Sequence, residues 1–253
     1  FSLEITNAGG HSSVPRSDNA IYQLAAALTR IEAFEFPVRL NETTRAYFEG
    51  IAGQDTSERA SMFYGLLDDP PANASINYFR DEPEINARLR TTCVATQLNA
   101  GHAENALPQR ASATVNCRVF PGVSVNEVGE VLFRVADVPS MTLTPKWDVL
   151  FSDASPLDDS IMDPIREITT SMWPGALVLP TMSTGATDST FFRNVGVPVY
   201  GVSGIFTEFG DNRIHGRDER LPKRSFYEGL EFLYRLTRSV AVSKDLPVAP
   251  VTL

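Results

Sequence analysis

Residues 91–120 read TTCVATQLNA GHAENALPQR ASATVNCRVF. Thr91–Asn99 and Ala111–Phe120 are strand-like runs, joined by a polar loop from Ala100 to Arg110 and stopped by Pro121-Gly122. Working outward, Phe1, Leu3 and Ile5 alternate with polar residues, the period of a half-buried strand. The loop Ala8–Pro15 follows, and Ser17 or Asp18 can cap a helix reaching about Phe34. Ile21, Leu24, Ala25, Leu28 and Ile31 form its apolar stripe, and Pro37 ends it. On the other side, Val125–Val135 reads as a helix and about 140–146 as a short strand. The order β, α, β, β, α, β is that of a split βαβ unit, an antiparallel sheet with two helices on one face. Between its first helix and second strand, residues of about 38–90 read as a helical insertion. Patches at about 42–52, 56–67 and 73–80 are broken by Gly53-Gln54-Asp55 and Asp68-Asp69-Pro70-Pro71.

Residues 147–253 have a different rhythm. Asp158–Met172, Asp188–Val195 and Ser225–Val242 read as helices, and Ala176–Leu179 and Val197–Val202 as short apolar strands. Helices alternating with short strands suggest an α/β layer, though with too few strands for a complete sheet.

Composition narrows the class. The chain has 253 residues, 22 Lys+Arg against 31 Asp+Glu, a formal net charge of −9 and 43% hydrophobic residues. This is ordinary for a globular protein and sufficient for one large domain or two moderate ones. No run approaches the roughly 18–20 apolar residues of a membrane span, and no basic field would attract phosphates, so neither a membrane nor a nucleic acid is expected as partner. Two cysteines exclude a disulfide scaffold and a Cys-rich zinc module. Cys93 and Cys117 would face one another if the two strands pair symmetrically. A disulfide is one outcome; two buried free thiols are the expected one.

The chemistry-bearing residues are few. The three histidines, His11, His102 and His215, all lie in Gly-rich or polar loops, where a hydrogen-bonding role is the ordinary one. Around His215, Gly216 allows close backbone approach, and Asp211, Asp218 and Glu219 could orient a ligating imidazole. His11 follows a strand in Gly10-His11-Ser12-Ser13, either near a helix cap or placed to stabilise an oxyanion. Asn105 and Arg118 lie across the same loop; Asn can donate to an oxyanion and Arg can grip a carboxylate through paired hydrogen bonds. Ser183–Thr190 joins a strand to a helix, and is either an anion site or a plain cap on Thr187 or Asp188.

Together these segments resemble the dimerising zinc metallopeptidases and amidohydrolases that include aminoacylase, glutamate carboxypeptidase and succinyl-diaminopimelate desuccinylase. The resemblance rests on Gly9–Pro15, Asn105–Pro108 with Val115–Arg118, Thr184–Asp188 and Ile214–Glu219, in order over essentially the whole chain. It implies an α/β protein. Residues 1–146 would form an α+β lid, or dimerisation domain, of split βαβ type, and residues 147–253 the C-terminal half of an α/β zinc-peptidase catalytic domain. By the same resemblance His11 is a catalytic residue that reaches into the partner's site. Asn105, Arg118, Gly185 and Thr187 contact substrate, and His215 is a metal ligand. It further implies a homodimer, two zinc ions per subunit in the intact enzyme, and a peptide or N-acyl amino acid substrate.

The family's His-x-Asp and Glu-Glu motifs occur nowhere in this sequence. In the family plan both precede the position of Phe1, and a targeting segment would lie there too, which leaves the compartment open. The leading expectation is therefore the C-terminal part of a zinc amidohydrolase or peptidase, inactive without its N-terminal segment. The alternatives are a non-catalytic dimerisation or binding module, and a chain completed by a separate partner.

Overall fold

The computed structural model describes residues 1–146, 152–208, 211 and 213–241. These fall into two compact units: unit 1 comprises Phe1–Ala154 with Thr181–Val197, and unit 2 comprises Ser155–Pro180 with Pro198–Leu253.

In unit 1 the strands are β1 (Ser2–Thr6), β2 (Gly10–His11), β3 (Thr92–Ala100), β4 (Ala106–Leu107), β5 (Arg110–Arg118) and β6 (Thr142–Thr144). Four of them form an antiparallel sheet in the order β3-β5-β1-β6, while β2 and β4 pair separately. The period-2 alternation of β1 does what it should: Leu3 and Ile5 are fully buried and pair with Ala113 and Ala111 of β5. Each such aliphatic side chain contributes about 2 kcal/mol of burial. On the opposite face Glu4 pairs with Arg110 at 2.6 Å.

Two helices, α1 (Ala20–Ala33) and α6 (Val125–Ala136), complete this core with Leu24, Ala27, Ile31, Val128 and Leu132. Gly129 lets α6 approach Phe1, whose ring would lie 3.1 Å from an added Cβ. Between α1 and β3 come α2 (Glu42–Ala52), α3 (Glu58–Leu66), α4 (Asn73–Tyr78) and α5 (Pro83–Leu89). They enclose a second core in which Phe48, Phe63 and Phe79 stack in succession, with centroids 5.8 and 4.4 Å apart. Arg59 lies over Phe63 and Phe79 and is anchored by Glu82 at 2.6 Å. The short helix α8 (Ser189–Asn194) also belongs to unit 1.

Unit 2 is built on α7 (Asp159–Met172) and α9 (Lys223–Ala241), around Ile165, Phe232 and Leu236. Gly204 takes φ +62°, and a Cβ there would lie 2.7 Å from the Phe232 ring. Gly229 likewise lets α9 approach Ile205.

The structure corrects several expectations. Asn19, not Ser17 or Asp18, caps α1 by accepting from the Ile21 N–H, because the Asp18 carboxylate is held by Arg16 and its carbonyl accepts from Asn7. The buried stripe of α1 is accordingly Ala20, Leu24, Ala27 and Ile31, with Ile21 exposed. The helix α5, not expected from the sequence, starts at Pro83, whose missing N–H is not needed at the first position. Ala176–Leu179 and Val197–Val202 are not strands, because no ladder partner meets them among the described residues. Val199 exchanges hydrogen bonds with the Ser155 hydroxyl, and the Tyr200 hydroxyl donates to the Pro156 carbonyl. Cys93 and Cys117 are directly paired across β3 and β5 and form a disulfide, in place of the expected free thiols. Val242, the expected end of the last helix, lies outside the described residues.

Candidate functional site

The sheet separates the expected site residues into two groups. At one end, β2 and β4 place His11 opposite Ala106, and the Ser12 N–H donates to the Asn105 carbonyl at 2.9 Å. His11 and Asn105 are therefore neighbours, both exposed. Their loop is held by local chemistry. The Gly9 N–H donates to the Asn7 side chain at 2.8 Å, and Gly9 takes φ +71°, where a Cβ would lie 2.7 Å from Gln109. Nδ1 of His11 lies 2.8 Å from the Ser13 hydroxyl and accepts from the Ser13 N–H at 3.2 Å. In the neutral ring that bond leaves the proton on Nε2, which becomes a donor able to face a developing oxyanion.

At the other end of β5, Arg118 pairs with Thr92 in register, and the adjacent Cys93–Cys117 disulfide ties the two strands together. Arg118 lines a cleft of about 250 Å³ whose walls all belong to unit 1, including Arg90, Ser152, Ser183, Gly185, Thr190 and Arg193. Gly185 and Arg118 thus share one cavity. The Gly185 N–H donates to the Ser183 hydroxyl at 3.2 Å. Thr187 serves its own turn, its hydroxyl accepting from the Ser189 N–H at 3.3 Å, whereas Asp188 makes no side-chain cap bond. The capping reading of this segment therefore describes Thr187.

Arg90 and Arg193 escaped the sequence reading. Arg90 follows a helix rich in ordinary charged residues, and Arg193 lies inside a short helix, so neither carries a local signal. Only the fold brings them to Arg118.

His215 lies in unit 2 in a tight turn, at φ 63°, with the Gly216 N–H donating to the Arg213 carbonyl at 2.7 Å. The acidic residues around it do not orient its ring as the sequence suggested. Glu219 accepts the backbone N–H of His215 at 3.3 Å, and Asp211 is taken by Arg213 and Arg220 at 2.7 and 3.0 Å. Among the described residues no three His, Cys, Asp or Glu side chains gather into a group that could hold a metal ion. His215 alone does not fit a complete zinc site.

The model of the M20 peptidase dimerisation domain matches residues 1–139. A probable carboxypeptidase S-like protein of Dictyostelium discoideum is 27% identical over 94% of this chain and 46% of its own length. A human N-fatty-acyl-amino acid synthase/hydrolase is 28% identical over 96% of this chain and 49% of its own. The chain thus spans about half the length of these curated relatives. An M20 family metallo-carboxypeptidase from Sulfolobus solfataricus shares the fold at TM-score 0.60 and 15% identity, over 95% of this chain and 57% of that one.

Proposed function

The chain belongs to the M20 peptidase family through its dimerisation domain, and from that premise we propose that it forms the dimerising, substrate-positioning part of a zinc metallopeptidase or amidohydrolase. The bond cleaved is an amide or peptide bond next to a carboxylate-bearing residue. The observation that carries this reading is the separation of the two residue groups along β5. The strand runs from Arg110 to Arg118, eight steps of roughly 3.4 Å, or about 27 Å. A small amide cannot touch both ends of one such strand. In a two-fold dimer, the His11 and Asn105 end of one protomer can meet the Arg118 end of its partner.

Each residue then has one task. Arg118 has no side-chain partner among the described residues and grips the substrate carboxylate, with the Gly185 segment forming the adjoining wall. The Nε2–H of His11 and the Asn105 amide donate to the oxyanion that develops at the scissile carbonyl. Zinc dependence, part of the family reading, would draw on His215 as one ligand. The described residues do not assemble the remaining ligands, so these 253 residues alone would bind and orient substrate without hydrolysing it.

The decisive experiment mixes variants of the whole gene product, assayed with zinc and an N-acyl amino acid. His11→Ala and Arg118→Ala should each lose about 10²–10³ in turnover. A one-to-one mixture should regain activity at about a quarter of the sites, because half of the dimers are mixed and each mixed dimer rebuilds one intact site. No recovery above either variant would place both residues in one chain's site and overturn the reading.

A further inference from the structure

The cleft beside Arg118 holds more positive charge than one carboxylate needs. Arg90 is only 5% exposed. Its Nη1 donates to Glu35 at 2.9 Å, but that carboxylate is shared with Arg80 at 3.0 Å. Its Nε and Nη2 are enclosed and have no hydrogen-bond partner. These two nitrogens form the side of a guanidinium that matches the two oxygens of a carboxylate. Among the described residues Arg193 on α8 reaches hydroxyls, those of Ser152 at 2.9 Å and Thr190 at 3.4 Å, and no carboxylate. Arg90, Arg118 and Arg193 all line the cleft, and among the described residues no acidic side chain does. An apolar group seated here would leave the enclosed edge of Arg90 without an acceptor, which is costly. A second anionic group would satisfy it.

We propose that Arg90 and Arg193 form a second anion subsite beside Arg118, so that the cleft selects a substrate whose carboxylate-bearing residue also has an acidic side chain, of glutamate or aspartate type. This rests on the reading of Arg118 as the grip for the main carboxylate. The side-chain carboxylate approaches the Arg90 guanidinium where it borders the cleft, and Arg193 adds the field that favours its ionised form.

The test compares N-acetyl-L-glutamate with its neutral isostere N-acetyl-L-glutamine, binding to this chain by calorimetry. Glutamate should bind at least about tenfold more tightly, because a charged hydrogen-bonded group is added. Arg90→Met should erase that preference while leaving glutamine binding nearly unchanged. Arg193→Gln should reduce it and keeps the test open should loss of Arg90 unfold the chain. Equal binding of the two ligands, both abolished by Arg118→Ala, would overturn the subsite and leave the carboxylate reading standing. A glutamate preference that survives Arg118→Ala but not Arg90→Met would overturn the role of Arg118 and keep the subsite. Failure of both ligands to bind would overturn both. If acetate tightens glutamine binding to the level of glutamate, the subsite takes a free anion and the proposed selectivity falls.

Discussion

The two units differ in how they dispose of apolar surface. Unit 1 covers one face of its sheet with α1 and α6 and encloses a second, aromatic core within α2–α5. Its exposed apolar residues, such as Tyr22, Leu98 and Phe191, are spread over several elements. Unit 2 buries Ile165, Phe232 and Leu236, while α9 exposes Phe226, Tyr227, Leu230, Leu233 and Tyr234 on its other faces. A helix that is apolar on more than one face is shaped for more than one packing surface. The difference teaches that unit 1 has two interiors with scattered apolar exposure, whereas many of the exposed apolar residues described in unit 2 gather on one helix, α9.

Substitutions can sharpen or break that contrast. The largest effect is expected for Phe63→Ala in the aromatic stack of unit 1, a loss of about 4 kcal/mol, read as faster hydrogen exchange across residues 42–89. A loss below about 1 kcal/mol would mean that this core is not the support it resembles. Replacing both Cys93 and Cys117 by Ser should cost about 3 kcal/mol, the loop-closure value for a bridge of sequence separation 24, measured by urea unfolding of unit 1. In unit 2, Gly204→Ala meets both a positive φ and the Phe232 ring, and should cost about 2 kcal/mol. Its readout is exchange in α7 and α9, and unchanged rates there would show that the loop yields freely.

The smallest effect is electrostatic and separates two helix caps. Asp158 caps α7, and the hydrogen bonds from Ser160 hold its carboxyl below the usual range. A depressed folded value means that the contribution is present above the unfolded carboxylate value, about 3.9, and fades as the pH falls through the lower folded one. Ser124 caps α6 and does not titrate. Acidification should therefore loosen the Ser160 amide, seen by NMR, while the Glu127 amide keeps its protection. Parallel loosening would point to a global cause.

Much of this architecture was legible because it is local. Alternation through Phe1, Leu3 and Ile5, the two runs flanking the 100–110 loop, and the helix at 125–135 are periodic, and the structure reproduces them. The elements missed depend on partners elsewhere in the chain. Val197–Val202 has strand composition but meets a serine hydroxyl instead of a ladder. Asn19 became the cap because Asp18 was occupied. The disulfide depended on a pairing register that the strands alone left open. Within the candidate site, motifs exposed His11, Asn105, Arg118 and His215, but Arg90 is distinguished only by burial and an unpaired edge, which no spacing reveals.

Strand β5 also acts as a ruler. Its ladder with β1 and β3 sets the interval between the end where His11 and Asn105 lie and the end that carries Arg118. Lengthening β5 and its neighbours by two residues would keep every side chain on its face while moving those ends apart by about 7 Å. On the proposed reading, drift in the flanking loops can be absorbed, whereas the length of this strand is held by the spacing the two ends must keep.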